Sequence, residues 1–331
     1  MDQLKNVHPG KILELSGAYW QTCTLHAGVK LDIFSHLGRQ KKTAKALADK
    51  LNLDPRGLTM LLNAICAMNL LEKQGDNYAN TSESLTLLSK ESPEYIGYMI
   101  MHHHHLVESW ASLDRSVKTG APAKDHSMRD DPEYRENFLM GMFNNAMAAA
   151  PELVRAIDLK GKKTLLDLGG GPGTYAIHFC MHNPDLKAWV FDLPTTRPFA
   201  EKTIKRFDQE ASVSFTGGNF LKDDLDGTYD VVWLSHILHG ESPEDCEKLV
   251  KKSVSALNPG GFIIIHDFIL DNSKTSPLFP ALFSLNMLLG TRGQAYSEME
   301  IKSMIEKAGI DNIKRIPFKG PNDSGLVVGT L

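Results

Sequence analysis

Short apolar runs and stretches with helical periodicity alternate along the second half of the chain. The apolar runs contain β-branched and aromatic residues and end at polar or glycine residues, as buried strands do. We predict strands at residues 164–168, 186–192, 213–216, 229–234, 262–267, 313–318 and 325–331, the last two closing the sheet with an antiparallel edge. Strands that alternate with helices in this way predict an α/β fold with a doubly wound, mainly parallel sheet.

The first part of the chain has a different pattern, in which helical periodicity dominates. Apolar positions recur with a helical period over residues 12–34. Residues 43–51 and 54–68 are predicted as further helices, each preceded by an N-cap residue, and two short strands follow within 70–78. This order is that of a winged helix-turn-helix. We therefore expect a winged-helix domain over residues 1–100, a helical connector over 101–158 and the α/β domain over 159–331.

A glycine-rich turn directly follows the first strand of the predicted α/β domain. Residues 169–173 are Gly-Gly-Gly-Pro-Gly after Asp167, and a helical pattern resumes at Tyr175. Glycine lets the backbone turn tightly and approach a ligand that a Cβ would displace, and such a strand–turn–helix junction binds nucleotide-like ligands. The dinucleotide fingerprint requires Gly or Ala at position 174, where this chain has Thr174. A nicotinamide-dependent dehydrogenase is therefore the poorer alternative.

Three further predicted strands also end at residues that suit ligand binding. Asp192 ends the second strand, where a carboxylate can accept both ribose hydroxyls of an adenosine. Asn219 and Phe220 follow the third strand, where an amide and an aromatic ring can hold an adenine, and His239 follows the fourth. Because the carboxyl ends of parallel strands meet at one edge of a sheet, we expect these side chains to form one site.

Together these segments make the chain resemble the class I S-adenosylmethionine-dependent methyltransferases. More narrowly, it resembles the small-molecule O-methyltransferases that include the caffeic acid and acetylserotonin enzymes. The resemblance covers nearly the whole chain and is most specific at residues 166–173, 190–194, 218–220, 234–239 and 257–261. It implies a Rossmann-like sheet, an N-terminal winged-helix domain used for dimerisation, S-adenosylmethionine as cofactor, and methyl transfer to a hydroxyl of a small aromatic or polycyclic molecule.

The resemblance also implies roles for individual residues. In the family, the glycine turn holds the methionine end of the cofactor, the residue that matches Asp192 binds the ribose, and the residue that matches His239 is the general base. An acidic residue that matches Asp267 orients this base in the plant enzymes. The implied cofactor-binding residues are Asp167, Gly169, Gly171, Asp192, Leu193, Gly218, Asn219, Phe220 and Ser235. The residues expected to bind the acceptor are Trp110, Met142, Phe143, Asn286 and Met287.

The chemistry of methyl transfer explains why a histidine and a carboxylate suit this site. The reaction is an in-line displacement, for which the protein must align the reactants, exclude water and remove a proton from a hydroxyl acceptor. Histidine ordinarily titrates near neutral pH, and a neighbouring carboxylate fixes its tautomer. Spacing alone does not distinguish a catalytic His239 from a histidine of the core or surface. It also does not distinguish a catalytic Asp267 from a strand-end residue bonded to solvent.

The chain departs from the family pattern at several positions. Gly240 follows His239 where the family often has Asp, Asn219 replaces the acid that faces adenine, and Ser235 replaces a lysine of the plant enzymes. A second acidic residue expected near Ala295 is absent. These departures leave open a more nucleophilic acceptor in the same fold, such as a thiol or an enolate carbon.

Composition and charge narrow the range of partners. The 331 residues are 42% hydrophobic, which suffices for two domains, and the net charge of −4 provides no attraction for nucleic acid or an anionic membrane. Arg56 is the one basic residue of the predicted recognition helix, so a cofactor-sensing DNA-binding regulator is the less favoured alternative. No apolar stretch suits a signal peptide or a membrane span, and the four cysteines form no close pair. We expect a cytoplasmic homodimer that acts on a small molecule.

Two groups of histidines raise the question of metal binding. In the run His102–His105, only the first and last share one helical face, and a solvent-exposed position is expected. His236, His239 and His266 with Asp267 form the second group, but they follow different strands without the spacing of a known metal motif. No metal site is predicted.

Overall fold

The computed structural model of the chain describes residues 8–122 and 131–331. The chain divides into two compact units, Met1–His105 and Leu106–Leu331. The first is mainly helical, and the second contains a large mixed sheet. The boundary falls within the helix Gly97–Trp110.

The first unit contains a small sheet and most of its residues lie in helices. Its helices are α1 (Gly10–Gly17), α2 (Tyr19–Lys30), α3 (Ile33–Leu37), α4 (Ala44–Leu51), α5 (Pro55–Ala67), α6 (Ser82–Leu87) and the first part of α7 (Gly97–Trp110). Its strands are β1 (Lys42–Thr43), β2 (Leu71–Gln74) and β3 (Asn77–Asn80), paired in the antiparallel order β1-β3-β2. The helices predicted over residues 43–51 and 54–68 are present as α4 and α5, and the two predicted short strands are present as β2 and β3.

Local signals explain where these helices begin and where the sequence-based prediction was wrong. The Thr43 side chain caps α4 by accepting from the Ala46 amide, and Asp54 caps α5 in the same way. The expected helical stretch over residues 12–34 is broken instead, because Asp32 adopts a left-handed φ of 56° between α2 and α3. An aspartate tolerates this conformation better than most residues, and helical periodicity alone does not reveal the break.

The second unit is built on a seven-stranded sheet. Its strands are β4 (Thr164–Leu168), β5 (Lys187–Asp192), β6 (Val213–Gly217), β7 (Tyr229–Ser235), β8 (Leu257–Phe268), β9 (Asn312–Ile316) and β10 (Ser324–Thr330), in the order β6-β5-β4-β7-β8-β10-β9. β10 runs antiparallel to both of its neighbours, and the other pairs are parallel. The chain reverses its direction of progress between β4 and β7, so the loops after these strands flank a crevice at the carboxyl edge.

Helices cover both faces of this sheet. The helices that begin in the second unit are α8 (Leu113–Thr119), α9 (Pro132–Leu153), α10 (Thr174–His182), α11 (Arg197–Arg206), α12 (Pro243–Ser255), α13 (Leu278–Gly290) and α14 (Glu298–Lys307). Along β7, Val231 and Trp233 belong to the core that contains Phe179, whereas Val232 and Leu234 belong to the opposite core. This alternation follows from the two-residue period of a strand and explains why a strand buried on both faces is apolar throughout.

None of the helices in the described residues is both long and apolar enough to cross a lipid bilayer.

Candidate active site

The glycine turn lies at the carboxyl end of β4, next to the start of α10. Gly169, Gly171 and Gly173 all have left-handed φ values, of 73°, 54° and 79°. A Cβ on Gly169 would lie 2.4 Å from Cδ1 of Ile237, which follows β7. At Gly171, by contrast, a Cβ would meet no described atom within 4 Å, so the turn presents bare backbone there, which suits close approach of a ligand.

Asp192 connects the end of β5 to this turn. Its Oδ2 accepts from the backbone N–H of Gly171 at 2.8 Å, and its Oδ1 accepts from the Leu193 N–H at 2.6 Å and from Thr196 Oγ1 at 3.1 Å. Burial raises the pKa of Asp192, and these three hydrogen bonds oppose that rise. A carboxylate has about four acceptor positions, so about one remains for a ribose hydroxyl.

Asp167 lies beneath the turn and is almost completely buried, with 1% of its surface exposed. Its Oδ2 accepts from the backbone N–H of Ala176 at 3.3 Å. Burial, reinforced by the charge of Asp192, raises the pKa of Asp167 to about 7 despite this hydrogen bond. The side chain therefore changes charge near neutral pH in the free protein.

The residues after β6 also lie at this edge. A Cβ on Gly218 would lie 2.3 Å from the ring of Phe191, so the backbone packs directly on that ring. Asn219 Oδ1 accepts from the Leu221 N–H at 3.0 Å and shapes its own turn. Phe220 approaches Gly169, with a ring carbon 3.5 Å from the position that a Cβ would take. The expected adenine-facing segment thus adjoins the glycine turn, but the Asn219 carbonyl is already engaged.

A partly buried histidine and a buried aspartate form a pair near the turn. His239 lies in a short 3₁₀ turn after β7, and Asp267 lies near the end of the adjacent β8. Asp267 Oδ1 accepts from His239 Nδ1 at 2.6 Å and from the Phe268 N–H at 2.8 Å, and Oδ2 accepts from the His239 N–H at 3.3 Å. These contacts fix both the imidazole and the backbone that carries it.

The electrostatics of this pair determine which imidazole nitrogen is protonated. Burial by itself raises the pKa of Asp267, but the imidazole of His239 and that of His236 outweigh it and hold the pKa well below its ordinary value. The carboxylate is therefore ionised and can only accept hydrogen bonds. It follows that Nδ1 of His239 carries the hydrogen of this bond, which leaves Nε2 as the nitrogen that can accept a proton from a ligand.

His236 is a second histidine at the same carboxylate. Its φ of 57° is left-handed, and its backbone N–H donates to the carbonyl of His266 at 2.8 Å. Nδ1 of His236 lies 3.6 Å from Asp267 Oδ1, beyond hydrogen-bonding distance. Three potential metal-ligand atoms lie within 4.8 Å of one another, one each from His236, His239 and Asp267. The sequence spacing of His236, His239, His266 and Asp267 did not predict a metal site. The structure nevertheless brings three of these four residues together, all except His266.

Ser235 and His266 form a separate buried chain of hydrogen bonds. Nδ1 of His266 lies 2.9 Å from Ser235 Oγ, and its Nε2 lies 3.0 Å from Ser324 Oγ. The Tyr175 hydroxyl also bonds to Ser235. Burial, with the neighbouring His236, lowers the pKa of His266 well below its ordinary value, so this ring is neutral. The hydroxyl of Ser235, which we expected at the cofactor, is thereby held by the sheet.

Aromatic rings surround the imidazole of His239. The Phe268 ring is stacked on it at a centroid separation of 5.8 Å, and the Phe283 ring meets it edge-on at 4.8 Å. Phe279 packs against both phenylalanines, at 4.9 Å and 5.7 Å. The base therefore lies against aromatic rings on two sides.

The residues expected to bind the acceptor are distributed between two environments. Trp110 Nε1 donates to Asn286 Oδ1 at 3.0 Å, which joins two of them, and Met287 is buried beside Asn286 on the helix that carries Phe283. Met142 is half-buried on α9.

Phe143 is placed differently from what the sequence analysis expected. Its ring packs against Phe207 at 6.5 Å and under the guanidinium of Arg206. Because α11 starts at the edge of the sheet that carries the site and runs away from it, this contact lies towards the other edge. The packing gives Phe143 a core position and does not support the acceptor-binding role.

Two surface cavities in the second unit lie apart from the dyad. One of about 200 Å³ is lined by residues that include Trp189, Phe191 and Tyr229, and one of about 340 Å³ by residues that include Asn272, Glu298 and Arg315. Neither lining contains His239 or Asp267.

Sequence reasoning did not identify several residues of the site. Ile237, Tyr175 and the phenylalanines around His239 received no role from it. The apolar run that forms α13 was the available signal for Phe283, but an apolar run does not show which side chain faces the base. The left-handed turn at His236 has no sequence signature.

Comparison with known protein families identifies two matching segments. A family described as the O-methyltransferase domain matches residues 117–311. A family described as the O-methyltransferase dimerisation domain matches residues 13–90. Together they cover most of both units.

Individual relatives match over nearly the whole chain. A 3-hydroxy-5-methyl-1-naphthoate 3-O-methyltransferase of Streptomyces sahachiroi is 30% identical over 97% of this chain and 95% of its own length. The N,N-dimethyltransferase OxyT of Streptomyces rimosus is 31% identical over 90% of this chain and 89% of its own. Among solved structures, an O-methyltransferase family protein of Burkholderia thailandensis is 26% identical, with a TM-score of 0.88 and 98% of each chain covered.

The raised pKa of Asp167 predicts how the free energy of unfolding depends on pH. Between its ordinary pKa of 3.8 and about 7, the folded state holds a proton that the unfolded state has lost, so stability falls as pH rises through this window. Asp167→Asn mimics the neutral acid and should remove that loss. In urea unfolding of the ligand-free protein, the variant should gain on the order of 2–4 kcal/mol over the wild type at about pH 8, but little at about pH 4.

The matched control is Asp224→Asn, which changes an exposed aspartate of the same unit. It should leave the pH dependence of unfolding as in the wild type. An Asp167→Asn variant that is destabilised equally at both pH values would show that Asp167 is ionised throughout.

Proposed function

The chain belongs to the O-methyltransferase family and is an S-adenosylmethionine-dependent methyltransferase of small molecules; we propose that it methylates a hydroxyl of a flat aromatic molecule with His239 as the general base. The observation that carries this proposal is the hydrogen-bonded His239–Asp267 pair near the glycine turn. It combines an oriented base with a neighbouring site of bare backbone for the methyl donor.

The geometry of the pair supports a definite sequence of proton movements. Nε2 of His239 accepts the proton of the acceptor hydroxyl as the oxygen forms its bond to the transferred carbon. The imidazolium that results is stabilised by the ionised Asp267, which holds Nδ1 at 2.6 Å. S-adenosylmethionine, when bound, supplies an activated methyl group and a neutral thioether leaving group. His239 then returns its proton to solvent.

The residues at the strand ends fit the methyl donor. The backbone at Gly169 and Gly171 can lie against its methionine part, the carboxylate of Asp192 can accept from its ribose, and the ring of Phe220 borders the space for adenine. The other members of the proposed cofactor-binding set are Asp167, Leu193, Gly218, Asn219 and Ser235. Ionised Asp167 would also attract the positive charges of the donor.

The aromatic surroundings of His239 support a flat acceptor. Phe268, Phe279 and Phe283 present ring faces and edges on which an aromatic molecule can stack. Trp110 and Asn286 add a hydrogen-bonded polar pair. The relative from Streptomyces sahachiroi is named for methylating a hydroxyl of a naphthoate, which is a molecule of this class.

A specific observation also supports a second candidate function, in which the methyl group is accepted by an atom other than oxygen. OxyT, at 31% identity, is named as an N,N-dimethyltransferase, and the departures from the family pattern also leave sulfur or carbon as acceptors. Mass and NMR analysis of the product from a panel of hydroxylated, aminated and thiolated naphthoic acids distinguishes these atoms. O-methylation of a hydroxynaphthoate supports the proposal, and methylation of amines, thiols or ring carbons alone contradicts it.

We propose that the protein acts as a cytoplasmic homodimer whose first unit is a winged-helix dimerisation domain. Within the segment that matches the dimerisation family, Leu13, Leu15, Tyr19 and Trp20 are each at least 60% exposed on α1 and α2. Clustered apolar side chains of this size are typical of an interface. The cysteines are free thiols, as expected in a reducing compartment.

The base assignment predicts the effect of changes at the dyad. His239→Ala should lower turnover by about 10²–10⁴-fold, because the hydroxyl loses its proton acceptor. Asp267→Asn should lower it by up to about 10⁴-fold, because the amide can hold the ring in the wrong tautomer. Steady-state kinetics with the best hydroxynaphthoate of the panel measures both effects.

The controls for the dyad separate chemistry from binding. Affinity for S-adenosylhomocysteine, measured by calorimetry, should persist in both variants. Asp271→Asn changes an exposed carboxylate four residues further along and should leave turnover unchanged. If His239→Ala turned over at the wild-type rate, His239 would not be the general base.

The interface assignment predicts the oligomeric state of two variants. Leu13→Glu and Trp20→Glu each place a charge on the exposed apolar face of α1 and α2, which should convert a dimer to monomers because burying an unpaired charge is costly. Sedimentation velocity measures the change. Met299→Glu, at a residue of similar exposure on α14, is the matched control and should remain dimeric. A monomeric wild type, or dimers in all three variants, contradicts this interface.

A further inference from the structure

Two imidazoles converge on one carboxylate at the end of β7 and β8. His239 Nδ1 and His236 Nδ1 lie 2.6 Å and 3.6 Å from the same atom, Asp267 Oδ1. One potential ligand atom from each residue falls within a separation of 4.8 Å. The reaction described above uses only one of the two histidines.

The second histidine is unexplained by the proposed base mechanism. Nδ1 of His236 is buried and has no hydrogen-bond partner within the described residues. A buried polar atom without a partner costs free energy. The residue also holds a left-handed φ of 57°, which is uncommon for a side chain of this size. The chain thus maintains a costly arrangement that directs this imidazole towards Asp267.

Nearby rings fix the direction of His236. Its ring meets that of His266 edge-on at a centroid separation of 4.5 Å and lies 4.4 Å from that of Phe268. His266 itself is not available to a metal, since Ser235 and Ser324 engage both of its nitrogens. Two histidines and one carboxylate therefore remain as the donor set.

We propose that His236, His239 and Asp267 form an inhibitory site for a divalent zinc-like ion. Two imidazole nitrogens and one carboxylate oxygen are a donor set that tetrahedral zinc adopts, with water as the fourth ligand. With bonds of about 2.0–2.1 Å, ligand atoms lie about 3.3 Å apart. The 2.6 Å contact between His239 and Asp267 therefore has to widen by less than about 1 Å. Magnesium, which prefers an all-oxygen octahedron, does not suit this set.

Metal binding prevents His239 from acting as the general base. This part of the inference depends on the proposed function. The metal replaces the proton on Nδ1 of His239, and that proton moves to Nε2, so the ring stays neutral. Nε2 then carries a hydrogen and has no lone pair for the acceptor hydroxyl. The glycine turn and Asp192 provide none of the ligands, so binding of the methyl donor is retained.

The test uses the whole purified protein, first stripped of metal with a chelator. Cobalt is added as a spectroscopic substitute for zinc, because its visible absorption reports a tetrahedral site, and zinc affinity is obtained by displacement of cobalt. His236→Asn removes one imidazole and keeps a residue that tolerates positive φ. His182→Asn, at an exposed histidine of α10, is the matched control. Retained affinity for S-adenosylhomocysteine confirms that each variant is folded.

We expect the wild type and His182→Asn to give the tetrahedral cobalt spectrum. His236→Asn should lose that spectrum and bind zinc at least about 10- to 100-fold more weakly, since loss of an outer partner alone has that effect. Zinc should inhibit turnover of the wild type, and the concentration for half inhibition should rise by a similar factor in His236→Asn. Magnesium should neither inhibit nor compete.

Two results overturn the inference. One is the absence of a tetrahedral cobalt spectrum in the wild type. The other is a spectrum and zinc affinity that are unchanged in His236→Asn, which would assign the metal to another site such as the run His102–His105. Metal that binds through His236 without lowering turnover leaves the site standing and contradicts the base role of His239 instead.

Discussion

The hydrogen bond between Asp267 and His239 is the constraint on which the proposed site depends. A carboxylate that is 3% exposed remains ionised only because imidazoles and backbone N–H groups surround it. That ionised oxygen determines where the imidazole holds its proton, and the opposite nitrogen gains its lone pair from the same restriction. The orientation of the base is thus a consequence of electrostatics in the interior of the sheet.

The sheet provides this geometry through the adjacency of β4, β7 and β8. The carboxyl end of β4 leads into the glycine turn, that of β7 into the turn that carries His239, and that of β8 holds Asp267. The left-handed residue His236 turns the chain so that Ile237 packs over Gly169 while His239 reaches Asp267. Binding of the methyl donor and orientation of the base therefore depend on the same few residues after β7.

Much of this architecture could be predicted from the sequence because strands and glycine turns have strong local signals. The seven strands of the second unit lie close to their expected positions, and the family and the cofactor were anticipated from the segments after β4, β5 and β7. The break at Asp32 could not be predicted, since a single left-handed residue leaves the apolar period intact. The core packing of Phe143 and the role of the phenylalanines around His239 depend on which helices meet in space. Periodicity shows that such residues are buried but not against what. The bond between Asp267 and His239 was implied only by resemblance, because residues 28 positions apart have no local signal of contact.

The tautomer of His239 tests the central claim most directly. Nitrogen-15 NMR of protein labelled at histidine distinguishes a protonated from an unprotonated ring nitrogen, and the His239→Asn spectrum assigns the resonances. In the metal-free enzyme, at a pH where the ring is neutral, we expect the hydrogen on Nδ1 and none on Nε2. A ring protonated at Nε2 alone would contradict it, because that nitrogen would then have no lone pair to accept the proton of an acceptor.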